Sequence, residues 1–106
     1  MIIATTNDLP GYRVVQVIGL VRGITVRSRS SLGNLGGSIQ AFFGGRLSIY
    51  VNLAEAAREE ALLLMRQHAV AEGANAVLGM RYEANEIMSG VTEVLAYGTA
   101  VYVERL

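Results

Sequence analysis

Two spacings of apolar residues divide this chain. From Tyr12 to Arg27 the residues are β-branched and apolar on both alternating faces, with Val14, Ile18, Leu20 and Ile24 on one and Val15, Val17 and Val21 on the other. That pattern predicts a strand covered on both sides. Gly19 and Gly23 lie inside it and mark a bulge, a bend or a close backbone approach. Leu9-Pro10-Gly11 ahead of it reads as a turn, because proline presets the first corner and glycine accepts the positive φ that a type II turn needs next. Between Arg46 and Glu72 the period lengthens. Leu53, Ala57, Ala61, Leu64 and Ala71 recur at near-helical spacing while Glu55, Arg58, Glu59, Arg66 and Glu72 point elsewhere, which predicts one long helix. Gly73 is its natural stop. Asn52 with Glu55 three residues later offers a capping box as its start.

Alternation then returns. Ala76, Leu78, Met80 and Tyr82 alternate with Asn75, Val77, Gly79, Arg81 and Glu83, a strand with one core face and one mixed face. Ala84 to Gly90 is expected to turn the chain into a last strand over Val91 to Glu104. Small Ala96, Gly98 and Ala100 line one of its faces, suited to an alanine-rich helix, and Leu95, Tyr97, Val101 and Val103 line the other. Asn75, polar between two alanines, is expected to bond the exposed carbonyls of the helix end or to take an unusual backbone angle. Arg27 to Gly45 is the least regular stretch, and its Ile39, Ala41, Phe42 and Phe43 predict a short helix over about Ser38 to Phe43. The sum is a single α+β domain over residues 1–106, with a short N-terminal strand and one long helix covering a small antiparallel sheet. Its edge strands are long and apolar, and a cyclic arrangement of copies would close them.

Composition sharpens that expectation. Hydrophobic residues make up 52% of the chain and charged ones only 17%, where about 25% charged is usual for a soluble domain. A small domain has little interior, so the surplus is expected to be buried between identical subunits. Nine arginines, with no lysine, balance nine carboxylates, and zero net charge gives no general pull toward nucleic acid or an anionic membrane. The chain has no cysteine, which excludes disulfides, thiolate metal sites and a cysteine nucleophile. The most apolar run, Val14 to Val21, is interrupted by Gln16 and Gly19 and is too short to span a bilayer, so the expected location is cytoplasmic.

Glu72-Gly73-Ala74-Asn75-Ala76-Val77-Leu78-Gly79-Met80-Arg81 joins the helix end to a strand with a particular spacing. Taken with Gly44-Gly45-Arg46, Ala57-Arg58-Glu59-Glu60-Ala61 and Gly98-Thr99-Ala100-Val101, it resembles the YbjQ-like family of small proteins, often labelled heavy-metal-binding domains. The resemblance spans nearly the whole chain, from Thr5-Thr6 through Gly19-Leu20-Val21-Arg22-Gly23 to Gly98. It implies a helix start near Gly45, a dodecin-like subunit and a ring of five copies. Two departures weaken any metal function it implies: Arg81 stands where relatives commonly carry an acidic residue, and the Ser28 to Gly37 segment is unusually rich in serine and glycine.

Candidate chemistry is sparse. Arg46 and Arg22, with Arg27, Arg29, the neighbouring serines and the amides of Gly44 and Gly45, can converge on an anion, since guanidinium forks and amide nests both suit phosphate or carboxylate. Glu83 and Glu86 offer hard oxygen ligands to a cation. Arg46, Arg22, Arg81 and Glu83 are therefore the candidate ligand-binding residues, for a small anion or a metal ion. The plainer reading is that these charges pair with each other or with water. His68 is the single imidazole, without convergent partners in the sequence, and Asp8 the single aspartate, already explained by its turn; no catalytic set emerges and a non-enzyme is expected. The leading function is a homo-oligomeric module binding a small ligand, anion or metal ion. The alternative is a structural or interaction protein with no ligand.

Overall fold

A computed structural model describes residues 1–28 and 45–106, with side chains from Ser48 onward in the helix except that of Ile49. Among the described residues five elements follow one another: β1 (Ile2–Ile3), β2 (Tyr12–Ser28), the helix α1 (Gly45–Ala71), β3 (Ala76–Met88) and β4 (Val91–Arg105). The expected helix over Ser38 to Phe43 lies outside the described residues.

The sheet is mixed. Its strand order is β1-β3-β4-β2, with β3-β4 and β4-β2 antiparallel but Ile2 and Ile3 paired parallel to Ala76 and Val77. The expected all-antiparallel sheet is corrected by this first strand. The chain leaves β1, turns at Leu9-Pro10-Gly11, where Tyr12 N–H donates to the Leu9 carbonyl at 3.0 Å and Gly11 takes φ 85°, and enters β2 at the opposite edge. Leu9 and Tyr12 thereby pack with Ile2 and Ala4 over Val101 and Val103, closing a small second core at that end of the sheet.

A second correction concerns the hairpin. The turn expected over Ala84 to Gly90 shrinks to Ser89 and Gly90, because Ala84, Asn85 and Glu86 stay in register with Val94, Glu93 and Thr92. The Glu86 carboxylate accepts the Gly90 N–H at 3.1 Å and tightens the corner. Polar side chains are compatible with a strand here because this stretch is exposed.

Helix α1 runs 27 residues, about 40 Å at 1.5 Å per residue. It starts at Gly45, so Asn52 and Glu55 lie within it and form no capping box. It ends as the sequence indicates: Gly73 takes φ 87°, its N–H donates to the Val70 carbonyl at 3.0 Å, and Ala74 N–H reaches the Ala69 carbonyl at 3.0 Å, the paired bonds of a Schellman stop. The buried stripe is Ala57, Ala61, Met65 and Ala69, a clean four-residue repeat. Leu64 and Ala71, expected in it, are exposed, and Leu53 is half-buried. The cause is the closeness of the crossing. A Cβ placed on Gly23 would sit against the Ala61 carbonyl and the Met65 amide and 2.8 Å from Leu64 Cβ, so the contact line admits alanines and displaces larger side chains to the flanks. Ala96, Ala100, Val21 and Val77 complete this core from the sheet side.

Among the described residues the expectation that β2 is covered on both faces is not met. Register shifts between Val14 and Gln16 and between Val17 and Gly19 reset the alternation. Beyond them Val21, Gly23 and Thr25 face the helix and are buried. Val14, Val15, Val17, Leu20, Ile24 and Val26 are each 41% exposed or more. The chain extends 56 × 27 × 18 Å with a radius of gyration of 17.1 Å, against about 13 Å for a compact domain of this length. Its accessible surface is 6849 Å², where a compact monomer of this mass exposes about 5,800 Å².

Candidate functional site

Strand pairing brings three of the four candidate residues to one place. Arg22 stands opposite Tyr97 on β4, and Tyr97 stands opposite Arg81 on β3, so the three form a row across the sheet. The next row is Ile24, Leu95 and Glu83. Their neighbours Gly23, Ala96 and Tyr82 belong to the helix side, so by strand alternation both rows lie on the helix-free face. Arg46 is in the first turn of α1, and its side chain lies outside the described residues, as do Arg29 and the serines after it.

These residues share a face without converging on a ligand. Arg81 Nη1 donates to the carbonyls of Thr5 and Met80, both at 2.8 Å, and so ties the N-terminal segment to β3. Glu83 Oε1 accepts the Tyr97 hydroxyl at 3.3 Å. Arg27 Nη2 donates to Glu60 Oε2 at 2.6 Å; that bond, with another from the Thr25 hydroxyl, holds the Glu60 carboxyl below the usual carboxylate range. Arg13 pairs with Glu104 at 3.0 Å. Arg58 sits 5.5 Å from the centre of the Tyr82 ring, whose phenol is raised above the usual range by burial and then by the Glu59 charge. Among the described residues Arg22 is the exposed arginine of β2 with no carboxylate partner.

Two contacts were not legible in the sequence. His68 Nδ1 lies 3.1 Å from the Arg22 backbone nitrogen, whose N–H donates to it, and 3.4 Å from the Arg22 carbonyl oxygen, while Nε2 faces Glu72 Oε1 at 3.7 Å. The single histidine thus covers an outward-pointing amide of an edge strand. Asn75 pairs its side-chain amide with the backbone of Val103: Nδ2 donates to the carbonyl at 2.9 Å and Oδ1 accepts the N–H at 2.8 Å. It neither caps the helix nor takes a positive φ; it extends the ladder as a surrogate peptide.

A cleft of about 460 Å³ opens between the N-terminal half of α1 and the hairpin end of the sheet, lined among others by Val26, Tyr50, Leu53, Ala57, Arg58 and Val94. It is mostly apolar, and its arginines, Arg27 and Arg58, already have the partners named above.

A family model described as "Putative heavy-metal-binding", that of YbjQ, matches residues 1–104. The chain belongs to the YbjQ family. Curated relatives carry the name UPF0145 protein. That of Solibacter usitatus is 61% identical over 95% of this chain and 90% of its own length, and that of Chromobacterium violaceum is 58% identical over 98% and 89%. Among solved structures, a protein of unknown function of the DUF74 family from Pediococcus pentosaceus superposes with a TM-score of 0.65 at 18% identity over 98% of both chains, a likeness of fold alone.

The donors of this YbjQ chain do not fit the metal in the family's description. Soft metals prefer thiolate and imidazole; the chain has no cysteine and one histidine, and that histidine is held by the Arg22 amide and Glu72. Among the described residues no three His, Cys, Asp or Glu side chains group together, and residues 29–44 contain none of these types. Glu86, the other oxygen candidate, is held at the hairpin. Removal of metal with a chelator is accordingly expected to leave the thermal midpoint and the helical circular dichroism unchanged. A drop of several degrees reversed by zinc or copper would contradict this donor census.

Proposed function

We propose that this chain works as a homo-oligomer in the cytoplasm, identical subunits closed into a ring, and that its role is structural or interactive rather than catalytic. Five copies is the number that the family resemblance implies. The observation that carries the reading is the set of six exposed aliphatic side chains on β2, Val14, Val15, Val17, Leu20, Ile24 and Val26, which the described residues leave uncovered. No helix among the described residues is long and apolar enough to cross a membrane.

Small-ligand binding is the second reading, and the cleft beside α1 favours it. With its cations already paired, the cleft suits an apolar molecule better than a free anion or a metal ion.

Assembly is linked to stability by mass action: a subunit stabilised by its neighbours melts higher as protein concentration rises. A hundredfold dilution is expected to lower the thermal midpoint by several degrees. A midpoint independent of concentration, together with a monomer mass throughout, would reject the proposal.

A further inference from the structure

We infer that the cleft beside α1 takes a small apolar monocarboxylate, with its hydrocarbon body between helix and sheet and its carboxylate at the mouth on Arg58. This rests on the small-ligand reading and adds the chemical class of the ligand and its orientation.

The cleft exists because α1 leaves the sheet. The absence of a side chain at Gly23 lets the helix down onto β2 at Ala61 and Met65, and the buried stripe ends at Ala57, which is 3% exposed. One turn earlier Leu53 is half-buried, and Tyr50 is 43% exposed. The sheet continues beneath them: Val94 on β4 stands between Thr25 and Ala84, and Thr92 stands opposite Arg27. Helix and sheet part toward the hairpin and leave about 460 Å³ between them, within the roughly 300–1,000 Å³ of small-molecule sites. Tyr50, Leu53, Ala54 and Ala57 recur at the spacing of one helix face, and Ala84 and Val94 oppose them, so the body of the cleft is apolar.

Charge sets the head group. Among the described residues that line the cleft, the polar groups are the guanidinium groups of Arg27 and Arg58 and the hydroxyls of Tyr50 and Thr92, with no carboxylate beside them. Arg27 is neutralised by Glu60, to which its Nη2 donates at 2.6 Å. Arg58 is not. It lies over the Tyr82 ring at 5.5 Å and stands in no salt bridge among the described residues, and a ring face beneath the guanidinium plane leaves the N–H donors at its edge for another partner. Glu55 and Glu59 act on Tyr82 through their charge, but both are exposed and neither lines the cleft. Arg58 is itself exposed, which places it at the mouth. One unmatched cation at the mouth of an apolar cavity is complementary to one carboxylate on an apolar body, and guanidinium takes carboxylate in a planar fork of two bonds. A bare anion forgoes the apolar contact. A second carboxylate would meet Arg27 already taken by Glu60.

The test is titration of the full chain with octanoate, octanol and acetate, read by calorimetry and by backbone amide shifts. Octanoate is expected to move the amides of Ala54, Ala84 and Val94, octanol to bind about tenfold more weakly for want of the charge-assisted bonds, and acetate to leave these amides in place. Arg58→Met keeps the stem and removes the charge; it is expected to lower octanoate to the affinity of octanol and to leave octanol unchanged. Ala54→Trp, at an exposed wall position, fills the cleft and is expected to abolish binding of both with native circular dichroism. If neither octanoate nor octanol moves those amides, the small-ligand reading falls and this inference with it. If the two bind equally and Arg58→Met changes neither, the reading stands and the carboxylate assignment is wrong. Acetate binding as tightly as octanoate, or octanoate binding undiminished by Ala54→Trp, places the anion outside the apolar cavity and overturns the inference.

Discussion

Gly23→Ala destabilises the subunit by about 3 kcal/mol or more, at the top of the range for inserting one carbon into a packed core. The added Cβ has no way to be accommodated by a rotamer change, because two of the atoms it meets, the Ala61 carbonyl and the Met65 amide, are helix backbone, and the third is Leu64 Cβ at 2.8 Å. Relief requires α1 to lift from β2. That movement would open the packing of Ala57, Ala61, Met65 and Ala69 on the sheet, which is the larger of the two cores. Urea denaturation at fixed protomer concentration, so that association contributes equally, measures the loss. A midpoint equal to that of the native chain would mean that the helix stands further from the sheet than these contacts require.

Asn75→Ala comes next, with an expected loss of about 3 kcal/mol. The side chain supplies two hydrogen bonds to one residue, Val103, which is 4% exposed. Alanine leaves that N–H and carbonyl without partners, and each buried unpaired group costs about 1–3 kcal/mol. Asn75→Asp separates the two bonds: the carboxylate still accepts the N–H but faces the Val103 carbonyl with a like-signed oxygen, so it is expected to recover little. If alanine proved neutral while aspartate was harmful, water would be serving the Val103 groups and the ladder-extension role would be lost.

What the sequence made legible follows from the range of each interaction. The helix, its stop at Gly73, the Leu9-Pro10-Gly11 turn and the seat formed by Ala96 and Ala100 are local patterns, set by residues within a few positions. The misplaced features depend on partners far along the chain. Leu64 fits the helical period, yet Gly23, distant in sequence, sets how near the helix comes and therefore which side chains fit. Asn85 and Glu86 read as turn formers because nothing nearby indicates that β4 holds them in register. Asn75 sits beside a helix end, so a cap was the natural inference, while Val103 is 28 positions away.

The candidate site divides along the same line. Arg22 and Glu83 are recognisable as exposed charges, and alternation places each on a face, but only the strand register shows that their rows are adjacent. Arg81 looks like an anion ligand until the Thr5 carbonyl, 76 positions away, is seen to accept from it. Of the partners of His68, Glu72 stands four residues on along the helix, but the Arg22 backbone carries no signature in a sequence.

Native mass spectrometry of the unmodified chain tests the central claim most directly. The account predicts a discrete assembly at an integer multiple of the 11.4 kDa chain mass, five being the expected multiple, with no significant monomer at micromolar concentration. A single species at the mass of one chain, under conditions where the fold is intact, would contradict it.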